Sequence, residues 1–194
     1  MHTGDCFLVP GPVRMSDACL QAMATPVMTA RGAEFRKVMA NLNSGLRYAF
    51  DLSPSKPEMK TQSWTGEDGY RVVVVSGSGT AAMEMVIANR FRNNDLVLVP
   101  TNGKFGERVA DICRQFCNVK QLQYEWGRSF DLYELEQQLE RGCYEALLIC
   151  HNETSSGITQ DAEAIAEMCE RHGVSFILDG ITSVGGMPVH PAKW

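Results

Sequence analysis

A short turn rich in glycine and hydroxyl side chains carries the strongest chemical signal in the sequence. Residues 77–80 (GSGT) follow four consecutive valines, 72–75, and precede a helix-forming run, 81–85. Valine runs are typical of buried strands, so the pattern predicts a strand, a tight turn and the start of a helix. Amides at a helix N-terminus have no acceptor within the helix and favour an anion. The turn therefore predicts a site for a phosphorylated cofactor.

Two classes of cofactor are compatible with this turn. Residues 77–82 fit the G-x-G-x-x-G/A pattern of dinucleotide-binding proteins, which has low specificity on its own. That pattern requires an acidic residue at the end of the following strand, to bind a ribose hydroxyl. The next predicted strand ends at Pro100 and Thr101, whereas Asp95 lies at its beginning. A nicotinamide dinucleotide therefore lacks its second anchor, and pyridoxal phosphate is the competing cofactor.

Pyridoxal phosphate requires a phosphate cradle, a flat side chain over its ring, a carboxylate near the pyridine nitrogen and a lysine. Several segments of the chain resemble the class V aminotransferases, most closely the alanine–glyoxylate, serine–glyoxylate and 2-aminoethylphosphonate–pyruvate branch. These segments are PGPV (10–13), SGT (78–80), NGKFGER (102–108), HNETSSG (151–157) and ILDGITSVGG (177–186). The resemblance covers nearly the whole chain, and the order of the motifs makes it specific.

The resemblance assigns Ser78, Gly79 and Thr80 to the cofactor phosphate and Phe105 to the face of the ring. An aromatic face suits a planar, electron-poor pyridinium. From the residues alone, a plain strand-to-helix turn and a core phenylalanine at a helix start remain open. Many relatives carry Trp or Tyr at the position of Phe105, and some carry His at the position of Thr80.

The resemblance also implies that Asp179 pairs with the protonated pyridine nitrogen, which makes it the catalytic residue within this chain. That pairing keeps the ring cationic, so the ring can accept the electrons left when the substrate loses its α-proton. Thr154 is implied to hydrogen-bond the phenolic oxygen of the cofactor, with Asn152 and Glu153 as structural neighbours. Gly11 is implied to lie near the substrate carboxylate. From the residues alone, turn or capping roles for Asp179 and Thr154, and a rigid entry segment at Gly11, remain open.

The lysine that forms the Schiff base with the cofactor is missing from the sequence. In the family it follows the segment of Asp179 after one more strand, and neither Lys104 nor Lys193 lies in the matching motif. We therefore expect the chain to be a fragment of a longer enzyme, homodimeric at full length, with little turnover of its own. The alternatives are a cysteine-desulfurase-like lyase, which would carry His at the position of Phe105, and a non-catalytic cofactor-binding protein.

The composition of the chain indicates which partners and which cellular compartment to expect. The chain has 194 residues, of which 44% are hydrophobic and 21% charged, with a net charge of -5. Without a long basic run there is no electrostatic reason to expect a nucleic-acid partner, and no apolar stretch has the length of a membrane span. The seven cysteines lack the spacing of a disulfide framework and predict a cytoplasmic protein. Cys113 and Cys117 are interpreted as core residues rather than as a metal pair, and no metal site is predicted.

Strands and helices alternate along the predicted order from residue 71 onward. The strands are predicted at 71–76, 95–100, 119–124, 145–150 and 175–179, and the helices at 79–92, 104–117, 131–141 and 161–172. One earlier helix begins after Ser16 as N-cap and ends before Pro26, and another covers about 33–48.

This alternation predicts an α/β fold with a mostly parallel sheet covered on both faces, a three-layer α/β/α arrangement. The resemblance implies part of the large domain of fold-type I pyridoxal-phosphate enzymes. The expected division is an N-terminal arm with helices (1–50), a polar loop (51–70) and a partial cofactor-binding domain (71–194). Because ligands bind beyond the carboxyl ends of parallel strands, we expect the candidate residues to gather at that edge.

Overall fold

The computed structural model describes residues 9–53 and 68–194, and the chain divides into two compact units. Of the described residues, the first unit comprises 9–48, 53 and 68–72, and the second comprises 49–52 and 73–194. The elements are α1 (Asp17–Met23), α2 (Ala33–Ala49), α3 (Gly79–Arg90), β1 (Leu96–Thr101), α4 (Lys104–Cys113), β2 (Asn118–Gln123), α5 (Leu132–Arg141), β3 (Ala146–Cys150), β4 (Asn152–Glu153), β5 (Ile158–Thr159), α6 (Ala162–His172) and β6 (Ser175–Asp179).

A four-stranded parallel sheet forms the centre of the second unit, with the strand order β2-β1-β3-β6. All of β3 is buried, as expected for a strand covered on both faces. The register places Cys150 of β3 opposite Asp179 of β6, so the carboxyl ends of these strands lie side by side. The predicted mostly parallel α/β fold is thereby confirmed.

Two apolar clusters lie on opposite faces of the sheet. One cluster packs α5 and α6 on the sheet and includes Leu98 and Leu135. The other packs α3 and α4 on the sheet and includes Val97, Ile87 and Val109. Successive side chains of a strand point to opposite faces, which explains why the neighbours Val97 and Leu98 belong to different clusters. The sheet and its two helical layers form the predicted three-layer arrangement.

Local capping signals determine most helix boundaries. Asp131 caps α5 and Asp161 caps α6, each through a side-chain oxygen that accepts a hydrogen bond of 3.1 Å from a backbone amide. Ser16 caps α1 as predicted. Gly173 ends α6 with φ 65°, a left-handed conformation that glycine adopts without strain. Helix α4 ends earlier than predicted, at Cys113.

A buried arginine organises the described part of the first unit. The guanidinium of Arg47 donates to both carboxylate oxygens of Asp68 at 2.6 Å, to the carbonyl of Tyr70 at 3.0 Å and to the carbonyl of Ser53. Desolvation opposes ionisation of Asp68, but these bonds and those from the amides of Tyr70 and Ser53 prevail and lower its pKa. The arginine therefore links the end of α2 to the segment that follows residue 67.

The predicted strand at 71–76 is wrong. In the described residues, the segment 72–75 forms no strand, and Val73, Val74 and Val75 are 65%, 49% and 56% exposed. The β-propensity of valine reflects packing on a pleated, half-buried surface rather than a preference of the backbone itself. An apolar run therefore becomes a strand only where a neighbouring strand and a covering layer are available.

One further difference concerns a loop, and part of another predicted loop is not described. Residues 152–153 and 158–159 form a small antiparallel pair, β4–β5, which the sequence pattern does not predict. The predicted polar loop at 51–70 falls mostly on residues 54–67, which lie outside the described residues, as do residues 1–8 at the start of the predicted arm.

Candidate functional site

The carboxyl ends of β1, β3 and β6 form one edge of the sheet, and polar residues follow each of them. Thr101 ends β1 and Asn102 follows it, His151 follows β3, and Asp179 ends β6. The amide of His151 donates to the carbonyl of Asp179 at 3.0 Å, which extends the β3–β6 pairing by one step. This edge is where parallel α/β sheets bind their ligands.

Asp179 has few internal partners for a carboxylate at a half-buried strand end. One oxygen accepts a hydrogen bond of 3.1 Å from the amide of Ile181. No ion pair to Asp179 occurs within residues 9–53 and 68–194. Burial raises the pKa of Asp179, and the negative charge of Glu153 adds to this elevation. The carboxylate is therefore suited to a cationic partner that approaches from the open side of the edge.

The N-terminus of α3 lies beside the loop that follows Asp179. A Cβ atom on Gly79 would lie only 2.6 Å from Cδ1, the end of the exposed side chain of Ile181, so the start of α3 and this loop are in close contact. Ser78 is the N-cap, and its hydroxyl accepts a hydrogen bond of 3.1 Å from the amide of Ala81. The amides of Gly79 and Thr80 have no acceptor within the helix, which leaves them to an external anion.

Arg108 connects α4 to the start of α3 and also contacts the ring of Phe105. Phe105 is half-buried at the first turn of α4, and the guanidinium carbon of Arg108 lies 5.7 Å from the centre of its ring. Nη1 of Arg108 donates to the hydroxyl of Thr80 at 3.2 Å. A positive charge thus lies between the predicted aromatic platform and the predicted phosphate cradle, a placement that the motifs do not reveal.

Glu153 is a fully enclosed acid at this edge, with 0% exposure. Its carboxylate accepts hydrogen bonds from the amides of Phe105 at 3.0 Å and Gly106 at 2.9 Å, and from the amide and hydroxyl of Ser155. It therefore caps α4 from a distant segment, in the structural role expected for a neighbour of Thr154. Its contacts with α4 were not predictable, since helix caps are normally sought next to the helix in sequence.

Thr154 and His151 lie near Glu153 in the sequence, and they differ in the hydrogen bonds of their side chains. Thr154 is half-buried, and no hydrogen bond of its side chain is found among the described residues. His151 is buried, with Nδ1 2.9 Å from the hydroxyl of Ser183. Burial lowers the pKa of His151, with a smaller opposing effect of the Gln160 backbone. Thr154 is thus available to a ligand, whereas His151 already has a partner.

The side chains of the two lysines that the sequence analysis rejects as Schiff-base residues form ion pairs with other acids. Lys104 is exposed and forms an ion pair of 3.5 Å with Glu107, and Lys193 forms one of 3.1 Å with Asp51. Gly11 belongs to the first unit, where it is exposed. Its implied contact with a substrate stays a prediction.

The cysteine that ends α4 and the one four residues later are core residues. Cys113 and Cys117 are buried, and the thiol of Cys117 donates to the carbonyl of Cys113 at 3.4 Å. Burial raises the pKa of Cys113 to about 12, with a further contribution from Cys117. No group of three or more side chains in the described ranges is arranged to bind a metal ion. Among the same residues, no helix has the length and apolarity needed to cross a membrane.

Comparison with known proteins identifies relatives of the chain. The family model for class-V aminotransferases matches residues 23–194. The chain is 28% identical over 189 residues to the (S)-ureidoglycine–glyoxylate transaminase of Bacillus subtilis, with 97% of this chain and 42% of that protein aligned. It is 30% identical over 188 residues to the soluble hydrogenase 42 kDa subunit of Anabaena cylindrica, with 94% and 45% aligned.

A solved structure from the same group of enzymes also matches the chain. The crystal structure of an alanine–glyoxylate aminotransferase from Nostoc sp. matches with a TM-score of 0.81 and 31% identity, covering 97% of this chain and 48% of that one. The chain thus spans less than half the length of each of these relatives.

Proposed function

Since the chain belongs to the class-V aminotransferase family, we propose that it supplies the N-terminal part of an aminotransferase that depends on pyridoxal phosphate. The proposed reaction transfers an amino group from a small amino acid, such as alanine or serine, to a 2-oxo acid, glyoxylate or pyruvate. The names of two relatives, an alanine–glyoxylate aminotransferase and a ureidoglycine–glyoxylate transaminase, support this class of substrates.

The single observation that carries the proposal is the environment of Asp179. A carboxylate at a half-buried strand end, with a raised pKa and no ion pair in the described residues, fits a cationic pyridine N–H. The close approach of Gly79 to Ile181 brings a helix N-terminus to the same loop, which fits the phosphate of the same small molecule. The chemistry of the two groups matches the two ends of pyridoxal phosphate.

In this proposal, each candidate residue has a defined task. The amides of Gly79 and Thr80, with the hydroxyls of Ser78 and Thr80, hold the phosphate, and the ring of Phe105 covers one face of the cofactor. The hydroxyl of Thr154 donates to the phenolic oxygen. Arg108 adds positive charge beside Thr80 and is the one residue of this set to which the sequence analysis assigns no role.

When bound, pyridoxal phosphate supplies an electron-accepting ring that stabilises the negative charge left by removal of the substrate α-proton. Asp179 would keep the proton on the pyridine nitrogen, so that the ring stays cationic and able to accept these electrons. The proposal places the lysine and the clamp for the substrate carboxylate in the part of the relatives that this chain does not span. Gly11 is proposed to contact the substrate carboxylate.

The wider assignments are also proposals. We propose a homodimer at full length, which the resemblance supports, and a cytoplasmic location. The cysteines within the described residues are all free thiols, which supports a reducing compartment. We also propose that the chain is organised as an arm with helices (1–50), a polar loop (51–70) and a partial cofactor-binding domain (71–194).

Thermal unfolding with different ligands tests the proposal. In a protein extended to the length of its relatives, pyridoxal phosphate should raise Tm, because a ligand that binds only the folded state stabilises it according to its concentration and Kd. Pyridoxal without the phosphate should raise Tm less, and NAD at the same concentration should leave it unchanged. A shift with NAD and none with pyridoxal phosphate would overturn the proposal.

Product analysis separates the proposed reaction from that of a related lyase. The extended protein should convert alanine and glyoxylate into pyruvate and glycine. Release of sulfur from cysteine, with alanine as product, would instead assign it to the desulfurases.

A further inference from the structure

The carboxylate of Glu153 is bound by two segments that are far apart in sequence. Oε2 accepts hydrogen bonds from the amides of Phe105 at 3.0 Å and Gly106 at 2.9 Å. Oε1 accepts from the amide of Ser155 at 3.1 Å and from its hydroxyl at 2.6 Å. No ion pair to Glu153 occurs in the described ranges, so amide and hydroxyl dipoles stabilise its charge.

Ser155 and Gly103 add to the contact between the start of α4 and the segment 153–155. The hydroxyl of Ser155 accepts a hydrogen bond of 2.8 Å from the amide of Lys104. A Cβ atom on Gly103 would overlap the side chain of Glu153 and lie 2.6 Å from the hydroxyl of Ser155. The first turn of α4 is therefore held directly against the segment 153–155, without room for an intervening side chain.

This arrangement connects two proposed cofactor contacts. The amide of Phe105 binds the carboxylate directly, and Thr154 follows Glu153 in the chain. We propose that Glu153 is a positioning residue, which fixes the ring of Phe105 and the hydroxyl of Thr154 relative to each other and so sets the geometry of the cofactor pocket. The inference rests on the proposed function, because it takes both residues as cofactor contacts.

The test uses pyridoxamine 5′-phosphate as the probe, since this amine binds without a covalent bond to lysine. In the protein extended to the length of its relatives, Kd is measured by equilibrium dialysis, and the circular dichroism band of the bound ring reports its orientation. Glu153→Gln keeps the size of the side chain but replaces one acceptor oxygen by a donor. It should weaken binding about tenfold or more and change the band, since misplacement of binding groups is costly. Glu163→Gln, an exposed acid in the first turn of α6, is the matched control and should leave both unchanged.

A double-mutant cycle identifies the route of the effect. If Glu153 acts through Phe105, the combined effect of Glu153→Gln and Phe105→Leu on Kd is smaller than the product of the two separate effects. Unchanged Kd and an unchanged band in folded Glu153→Gln would overturn the inference, even if its Tm falls.

Ser155→Ala keeps the proposal testable if Glu153→Gln does not fold. This change removes the hydroxyl between Glu153 and the amide of Lys104 but leaves the carboxylate in place. It should weaken binding by about twofold to fivefold, as expected for loss of one hydrogen bond. Unchanged binding by Ser155→Ala would overturn the inference. Failure of the unmodified protein to bind the probe would instead overturn the proposed function, and the inference with it.

Discussion

The carboxylates of Glu153 and Asp179 lie at the same edge of the sheet, but their surroundings differ. Glu153 is fully buried and accepts hydrogen bonds from three amides and one hydroxyl. Asp179 is half-buried and accepts one, from the amide of Ile181. Neither forms an ion pair in the described part of the chain. The protein thus supplies four hydrogen-bond donors to Glu153 and one to Asp179, and the proposed function assigns the remaining acceptor capacity of Asp179 to a ligand.

In the proposed function, this difference distinguishes an acid that stabilises the fold from an acid that binds a ligand, and it does so without reference to any motif. A buried carboxylate with a complete set of donors stabilises the fold that holds it. A buried carboxylate with few hydrogen-bond donors has a raised pKa, because burial disfavours its charged form. Such perturbed pKa values cluster at functional sites, so the carboxylate is a candidate site residue. The pattern of donors therefore assigns roles that residue type and burial alone do not.

The largest expected effect is a loss of turnover when Asp179 is replaced. In the extended protein, Asp179→Asn should lower kcat/KM by about a hundredfold or more, because a charge that stabilises the transition state is lost. Far-UV circular dichroism should be unchanged, since the asparagine retains the size of the side chain. Asp161→Asn, at the cap of α6, serves as the matched control and should keep its activity. Near-normal turnover of Asp179→Asn would contradict the assignment.

A second effect concerns the stability of the chain itself. Glu153→Ala should lower the free energy of unfolding by about 3 kcal/mol, because it leaves buried amides of α4 without an acceptor. Urea unfolding of the 194-residue chain measures this loss. Glu163→Ala should change stability by less than about 0.5 kcal/mol, as expected at an exposed position. Equal stability of the two variants would show that Glu153 does not stabilise α4.

The smallest expected effect is a gain in stability, when Asp179 is replaced by asparagine. Burial raises the pKa of Asp179 above its unfolded value of about 3.9, so the folded state binds more protons between the two pKa values. Stability due to this group is therefore complete at low pH and falls as pH rises through the folded pKa. Asp179→Asn removes the penalty, so its Tm at pH 7 should exceed that of the parent chain, and the difference should disappear near pH 4. A lower Tm of the variant at pH 7 would contradict the raised pKa.

Much of the fold was predictable because its signals are local. Ser16 as N-cap, the apolar run that becomes β3 and the alternation of elements each act over a few residues. The valines at 72–75 were not predictable in the same way. Their outcome depends on a neighbouring strand, which a local pattern does not contain.

The candidate site was predictable only in outline. The edge where its residues gather follows from the parallel sheet, and the motifs indicated Asp179 and Phe105. The bonds of Glu153 to α4 span 47 and 48 residues, and that of Arg108 to Thr80 spans 28. Such contacts depend on packing in three dimensions, and for this reason the sequence alone did not reveal them.

The exposed valines have a consequence for the chain in solution. A run of β-branched residues without proline or charge is the type of segment through which proteins add to one another as strands. Arg71 places a single charge directly before it, the position at which natural sequences put gatekeeper residues. Because strand addition between molecules is a bimolecular event, protein concentration should govern how long a preparation of this chain stays clear.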